Sequence, residues 1–183
     1  MKSSSNRATG DNLNYHVREA FVHDSSLLAE LGAQTFREAF ESFMAPFVLN
    51  AHITETYNQA RQKEELNDPS KKFLILEHNR VAVGYALLHA HATPLAVRDA
   101  RAIELSRLYL LKAYRGRGLG RALMQECLKL SLRRGHKSIW LAVWERNERA
   151  VSFYGKSGFE VVGTRPKENA ESEGEDLIMS RLL

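Results

Sequence analysis

An α+β domain with mixed strand directions is what this sequence predicts, on three observations. Segments with apolar residues at helical spacing alternate with runs of strand length, and turn residues separate them. Phe73-Leu74-Ile75-Leu76-Glu77 and Val81 to His89 flank His78-Asn79-Arg80 in the manner of a hairpin. An apolar run, Leu105 to Leu111, leads through a glycine-rich turn into the helix-like stretch Arg121 to Arg134.

Taken in chain order, residues 1–13 are polar and read as a disordered tail ahead of one domain, residues 14–183. Tyr15 to Ala20 alternates as a first strand. Asp24 or Ser25 caps a helix carrying Leu27, Leu28, Leu31, Thr35, Phe36 and Phe40 on one side, and Pro46 ends it. Thr54 to Asn67 reads as a second, mostly polar helix closed by Asp68-Pro69. The hairpin gives two strands, Thr93 to Arg101 is a proline-containing loop, and Ile103 to Leu111 is a fourth strand. Gly118 to Arg134 is a long helix and Ser138 to Trp144 a fifth strand. A helix opened by Asn147, a strand Glu160 to Thr164, a charged loop through Asp176 and a strand Leu177 to Leu182 complete the chain.

Composition narrows the function. The 183 residues, 44% of them hydrophobic, suffice for a sizeable core. No apolar run of about 18 residues exists and the first residues are polar, so neither a membrane span nor a secretory signal is expected. Cys127 is the one cysteine, which excludes an intramolecular disulfide and fits the cytoplasm. It falls in a helical apolar pattern and reads as a small core residue rather than a nucleophile. The net charge of +4 comes from scattered basic residues without a long tract. An anionic small molecule explains them better than nucleic acid.

The local excess of positive charge sits on Arg115-Gly116-Arg117-Gly118-Leu119-Gly120, with Lys112 and Arg121 beside it. A helix start leaves about four N–H groups without intrahelical partners and carries roughly half a positive charge. Glycines let the backbone approach a ligand, so strand, glycine turn and helix together point to a polyphosphate. A P-loop is excluded, because no Lys-Ser or Lys-Thr follows these glycines. A dinucleotide fingerprint is excluded by the G-x-G-x-G spacing and by the basic stretch Arg133 to Lys137 where an acid would stand.

Arg115, Gly118 and Gly120 match Arg-x-x-Gly-x-Gly, the pyrophosphate loop of the GNAT (GCN5-related N-acetyltransferase) superfamily, which this segment resembles. One helix and one strand later, Asn147 to Phe159 resembles that superfamily's Asn-x-x-Ala-x-x-Phe-Tyr-x-x-x-Gly-Phe block. Asn147 is a natural N-cap there, Ala150, Phe153, Tyr154 and Ser157 recur at helical spacing, and Gly158 is a natural residue to end the helix. Residues 15 to 183 are covered, most strongly from Glu104 to Phe159. The resemblance implies a GNAT fold: a mixed, mostly antiparallel sheet of six to seven strands flanked by about four helices. Thr35 to Phe40, Leu108-Tyr109-Leu110, Ile139 to Glu148 and Asp176 to Met179 are similar to the PaiA-type spermidine/spermine N-acetyltransferases. Ser106 departs from that subgroup, standing where it carries an acid.

The same resemblance implies acetyl-CoA as acetyl donor and a small-molecule amine as acceptor, with a polyamine as one expectation and a homodimer as another. Cofactor contacts fall to Leu108, Tyr109 and Leu110 through main-chain pairing with pantetheine, to Arg115, Gly116, Arg117, Gly118, Leu119, Gly120 and Arg121 at the pyrophosphate, and to Asn147 and Tyr154. Tyr154 matches the tyrosine that protonates the departing thiolate. Glu104 stands before Arg115 at the spacing of the catalytic glutamate of the histone-acetylating branch. An alkylamine with a pKa of about 10 arrives protonated, so a proton acceptor is needed. Phe36, Phe40, Phe43, Glu38 and Glu41 are the candidates for the acceptor pocket. His89 and His91 alternate on a strand with no third ligand nearby, and read as structural or surface residues, not as a metal site, so no metal is expected. The other readings are a GNAT acting on an amino acid, an antibiotic amine, or a protein N-terminus or lysine, and a module that holds acyl-CoA without turnover.

Overall fold

The computed structural model describes residues 14–166 and 174–183. The tail at residues 1–13 and residues 167–173 of the charged loop lie outside the described residues. Seven strands form one sheet in the order β1-β2-β3-β4-β5-β7-β6. They are β1 (Tyr15–Glu19), β2 (Lys71–His78), β3 (Val81–His89), β4 (Ala102–Leu110), β5 (Ser138–Trp144), β6 (Glu160–Pro166) and β7 (Glu175–Leu182). Every neighbouring pair is antiparallel except β4 with β5. The β2–β3 hairpin turns through Asn79 and Arg80, both at positive φ, the geometry a tight two-residue turn demands.

Five helices cover the sheet: α1 (Ser25–Phe40), α2 (Pro46–Thr56), α3 (Gln59–Asn67), α4 (Leu119–Arg133) and α5 (Glu148–Lys156). Pro46 opens α2 at its first position instead of ending α1, where its missing N–H leaves no hydrogen bond unmade. The expected helix Thr54 to Asn67 is in fact two, because Asn58 caps α3 by accepting from the Arg61 N–H at 2.8 Å. Asp24 precedes α1 without capping it through its side chain. Its carboxylate is taken by Arg18 at 2.8 Å and by the Phe21 N–H.

Each face of the sheet carries its own core. On one, α4 packs Leu119, Leu123, Met124, Cys127 and Leu130 against Leu74, Leu76, Ala86, Leu88, Ile103, Leu105, Ile139 and Leu141. Fully burying a leucine side chain is worth about 1.5–3 kcal/mol, so this stripe suffices to dock the helix. On the other face, Leu28, Leu31 and Phe36 of α1, Leu49 and Ile53 of α2, and Tyr57 meet Phe73, Ile75, Tyr85 and Leu87.

Two irregularities in β4 shape the centre of the sheet and part its strands. Leu87 pairs with Arg107 but Leu88 pairs with Leu105, leaving Ser106 as an extra residue, a β-bulge. The bulge swaps the faces: Ile103 and Leu105 point to the α4 core before it, and Leu108 and Leu110 after it. Tyr109 thereby turns to the α1–α3 side. Secondly, β4 and β5 pair only from Ala102↔Ser138 to Glu104↔Trp140. Beyond that β4 stays with β3 and β5 stays with β7, so the sheet opens into two arms.

Candidate active site

One wall of the opening is main chain. Gly116 and Gly118 both have φ of +79°, and nothing lies within 4 Å of where a Cβ would project from either. Gly118 is the residue before α4, so Leu119, Gly120 and Arg121 are its first turn, whose N–H groups have no intrahelical acceptor. Among the described residues, no backbone acceptor is found for the N–H groups of Gly116, Arg117 or Gly118. Arg117 stands over the Tyr114 ring at 5.7 Å. Gly120 serves differently from the other glycines. Its φ is helical, and a Cβ there would meet Leu110 at 3.3 Å and Phe153 at 3.5 Å. Its bareness lets β4, α4 and α5 converge, which brings the two sequence motifs to one point.

Arg115 braces this loop from behind. Its Nε donates to the Leu110 carbonyl at 2.9 Å, and its guanidinium lies 3.8 Å from Glu38. Glu38 also accepts the Lys112 N–H at 2.5 Å. The Glu38 carboxylate, expected in the acceptor pocket, is engaged by the loop that leads to α4. Asn147 caps α5 by accepting from the Ala150 N–H at 3.2 Å, and Gly158, at φ +84°, ends that helix as expected.

Tyr154 is half-buried on α5, with its ring 5.4 Å from Phe153 and 5.8 Å from Phe159. Burial, with the Cys127 thiol adding to it, pushes its phenol above the ordinary tyrosine range, so it stays protonated at neutral pH. Burial likewise raises Tyr109, and nearby Tyr57 and Tyr154 add to the effect. Cys127 is fully buried and its thiol is pushed up by that burial, as fits a core residue.

The other wall is built from side chains. Phe36 stacks on His52 at 4.4 Å and meets Phe40 at a tilt at 4.5 Å, with Tyr57 and Tyr109 behind. Arg107 lies under this aromatic group, 5.4 Å from the Tyr57 ring centroid and 2.7 Å from Glu65. Glu65 is 4% exposed and also holds Lys71 at 3.2 Å. Burial would raise its pKa, but the Arg107 hydrogen bond and charge, with Lys71, outweigh that and hold it below the usual carboxylate range. Glu41 is exposed just past α1, and Phe43, also exposed, meets Trp144 of β5 edge-on at 5.5 Å.

Glu104 stands at the vertex, at the last β4–β5 pair, and is half-buried. Its carboxylate is 2.9 Å from His91 Nε2 and also accepts the Ser106 hydroxyl. His89 pairs with Glu104 across the strands and stacks on His91 at 4.3 Å. The absence of a third ligand for these histidines therefore does not hold: Glu104 is the third donor, brought there by strand register. Sequence reading set His91 aside as structural or surface and passed over Arg107, Glu65 and His52. The available signal was weak: a His-x-His at a strand end and two opposite charges far apart in the chain.

This geometry, an opened parallel pair with a glycine loop at one lip, has relatives. The chain belongs to the acetyltransferase (GNAT) family, which matches residues 35–159, and is thus an N-acetyltransferase. It is 36% identical over 161 residues to an uncharacterized N-acetyltransferase of Mycobacterium tuberculosis, spanning 87% of this chain and 98% of that one. It is 22% identical over 173 residues to a spermidine N(1)-acetyltransferase of Thermoplasma acidophilum, covering 92% of this chain and 98% of the relative. Among solved structures it resembles the PaiA N-acetyltransferase of Thermoplasma acidophilum in complex with coenzyme A. The TM-score is 0.77 at 22% identity, covering 93% of this chain and 100% of that one, a likeness of fold. No helix among the described residues is long and apolar enough to cross a membrane.

Proposed function

We propose that the cleft binds acetyl-CoA and that the protein transfers its acetyl group to a primary amine of a small molecule in the cytoplasm, with spermidine-like polyamines the first class to test. The observation that carries this reading is the end of the β4–β5 ladder at Glu104↔Trp140, with the loop Gly116–Gly120 at the same mouth. The free edge of Leu108-Tyr109-Leu110 suits an extended pantetheine arm, which would add to β4 as a strand would. The glycine loop and first turn of α4 suit the pyrophosphate.

In this reading Glu104 takes a proton from the incoming ammonium, directly or through water, with Ser106 and His91 holding its carboxylate. The amine nitrogen then attacks the thioester carbonyl, and a main-chain N–H near the Ser106 bulge stabilises the oxyanion. As the carbon–sulfur bond breaks, Tyr154 gives its proton to the leaving thiolate, the nitrogen gives up its second proton to solvent to leave the neutral amide, and Tyr154 regains a proton from solvent. A phenol kept protonated by burial is suited to that donation. The polyamine reading rests on the likeness to a spermidine N(1)-acetyltransferase and on Glu104 and Glu41, the carboxylates left on the acceptor side once Glu38 is assigned to the loop. Arg107 is offset for a cationic acceptor by Glu65, while Lys71, which shares that carboxylate, also faces Asp68 at 4.0 Å.

An acceptor screen with acetyl-CoA, following free thiol release across polyamines, amino acids and peptides, tests the proposal. Turnover is expected with small primary amines. Clear activity on an anionic amine with none on spermidine or spermine would overturn the polyamine reading. Tight CoA binding without turnover on any acceptor would point to an acyl-CoA-holding module instead.

A further inference from the structure

His89, His91 and Glu104 each offer one ligand atom, and the three atoms lie within 4.8 Å of one another. The backbone sets this up: His89 ends β3, His91 follows on the same side, and Glu104 is the cross-strand partner of His89. A tetrahedral zinc ion with bonds of about 2.0–2.2 Å keeps its ligand atoms roughly 3.3 Å apart. The His91 Nε2 to Glu104 Oε2 separation is 2.9 Å, that of a direct hydrogen bond, and no pair exceeds 4.8 Å, so adjustments of about 0.4–1.5 Å in the side chains would seat the ion between them.

The donor set selects the ion. Two imidazoles and one carboxylate suit zinc and its first-row neighbours, whereas calcium and magnesium prefer all-oxygen shells. Three protein ligands leave a fourth position for water. His91 has 36% and Glu104 14% of its side chain exposed, so an ion can enter from solvent. The Ser106 hydroxyl, donating to Glu104, is an outer-shell partner of the kind that orients a ligating carboxylate.

We propose that His89, His91 and Glu104 bind a divalent cation of the zinc class at the vertex of the cleft, and that the bound cation inhibits acetyl transfer by occupying the Glu104 carboxylate. The inhibition rests on Glu104 being the proton acceptor. The binding does not.

The test uses the full, untagged chain stripped of metal, with zinc titrated against a chromogenic chelator and cobalt followed by its visible absorption. One such site per chain is expected, weakened at least tenfold in His89→Ala and in His91→Ala and unchanged in His136→Ala, whose ring lies against the Arg101 carbonyl outside the cluster. No competition by the wild type, or equal affinity in His91→Ala, overturns the site whether or not any acceptor is acetylated. In the transfer assay zinc should inhibit the wild type, reversibly by chelator, and inhibit His91→Ala at least tenfold less well. That variant also controls for zinc captured by the free thiol of CoA. Zinc bound by these three residues without loss of turnover would overturn the inhibition.

Discussion

The two walls of the cleft are made of different material. The wall proposed to hold the cofactor is a continuous stretch, Arg115 to Arg121, that presents backbone N–H groups and leaves the space over Gly116 and Gly118 open. The wall proposed to face the acceptor gathers side chains from α1, α2, α3, β4 and the segment after β3, among them Phe36, His52, Glu65, Arg107 and His91. A main-chain site tolerates variation in side chains but requires glycines at fixed spacing. A side-chain site depends on register and packing, so it can diverge in specificity while the first wall stays the same. The following outcomes would break or sharpen that contrast.

The largest effect is expected where the acceptor wall is anchored. Glu65→Ala leaves Arg107 and Lys71 without their buried carboxylate and should destabilise the fold by about 3 kcal/mol, read from the urea midpoint. Because the folded pKa of Glu65 is depressed, its contribution is present above the unfolded value of about 4.3 and is lost as pH falls through the folded value. Glu65→Gln should therefore lose stability less steeply than the wild type in acid. Parallel curves would mean that the pair contributes nothing to the wall.

Next comes Tyr154→Phe, expected to lower kcat by ~10²-fold with little change in the KM for acetyl-CoA. Wild-type turnover would return the side chain to a packing role beside Phe153 and Phe159. For Glu104→Gln the expected fall in kcat is about tenfold or more, with a changed pH profile. Without the carboxylate the rate should follow the free-amine fraction and climb toward the amine pKa of about 10. An unchanged profile would remove Glu104 from proton transfer.

The smallest effect sharpens the boundary between the walls. Glu38 holds the Lys112 N–H and lies near Arg115, so Glu38→Gln should raise the KM for acetyl-CoA a few-fold, with the charged hydrogen bond weakened rather than lost. A rise confined to the KM of a polyamine would put Glu38 on the acceptor wall, where its place on α1 suggested it.

Most of the fold was legible in the sequence. Strand and helix periods located the seven strands and the long α4, and Asn147 and Gly158 bounded α5. The α1–α3 region was less so, since a proline can close one helix or open the next, and Pro46 does the second. The cofactor wall was legible because its geometry is encoded by neighbouring residues. Even there Gly120 proved to be a packing glycine rather than a positive-φ one. The acceptor wall was not legible: the Ser106 bulge alters which β4 side chains face α1–α3, and no local pattern announces a bulge. His91 reaches Glu104, and Glu65 reaches Arg107, only after strands pair and helices dock.

The central claim, that the glycine loop is a main-chain seat for the pyrophosphate of acetyl-CoA, is tested most directly by calorimetric titration of CoA into the wild type and Gly118→Asp. Asp tolerates the left-handed conformation better than most residues, so the variant should fold. Its carboxylate would project into the open space beside Gly118, at φ +79°, where the proposal seats the phosphates. A loss of at least tenfold in affinity, about 1.4 kcal/mol, is expected in a variant with native circular dichroism. Unchanged CoA binding by that folded variant would contradict the account.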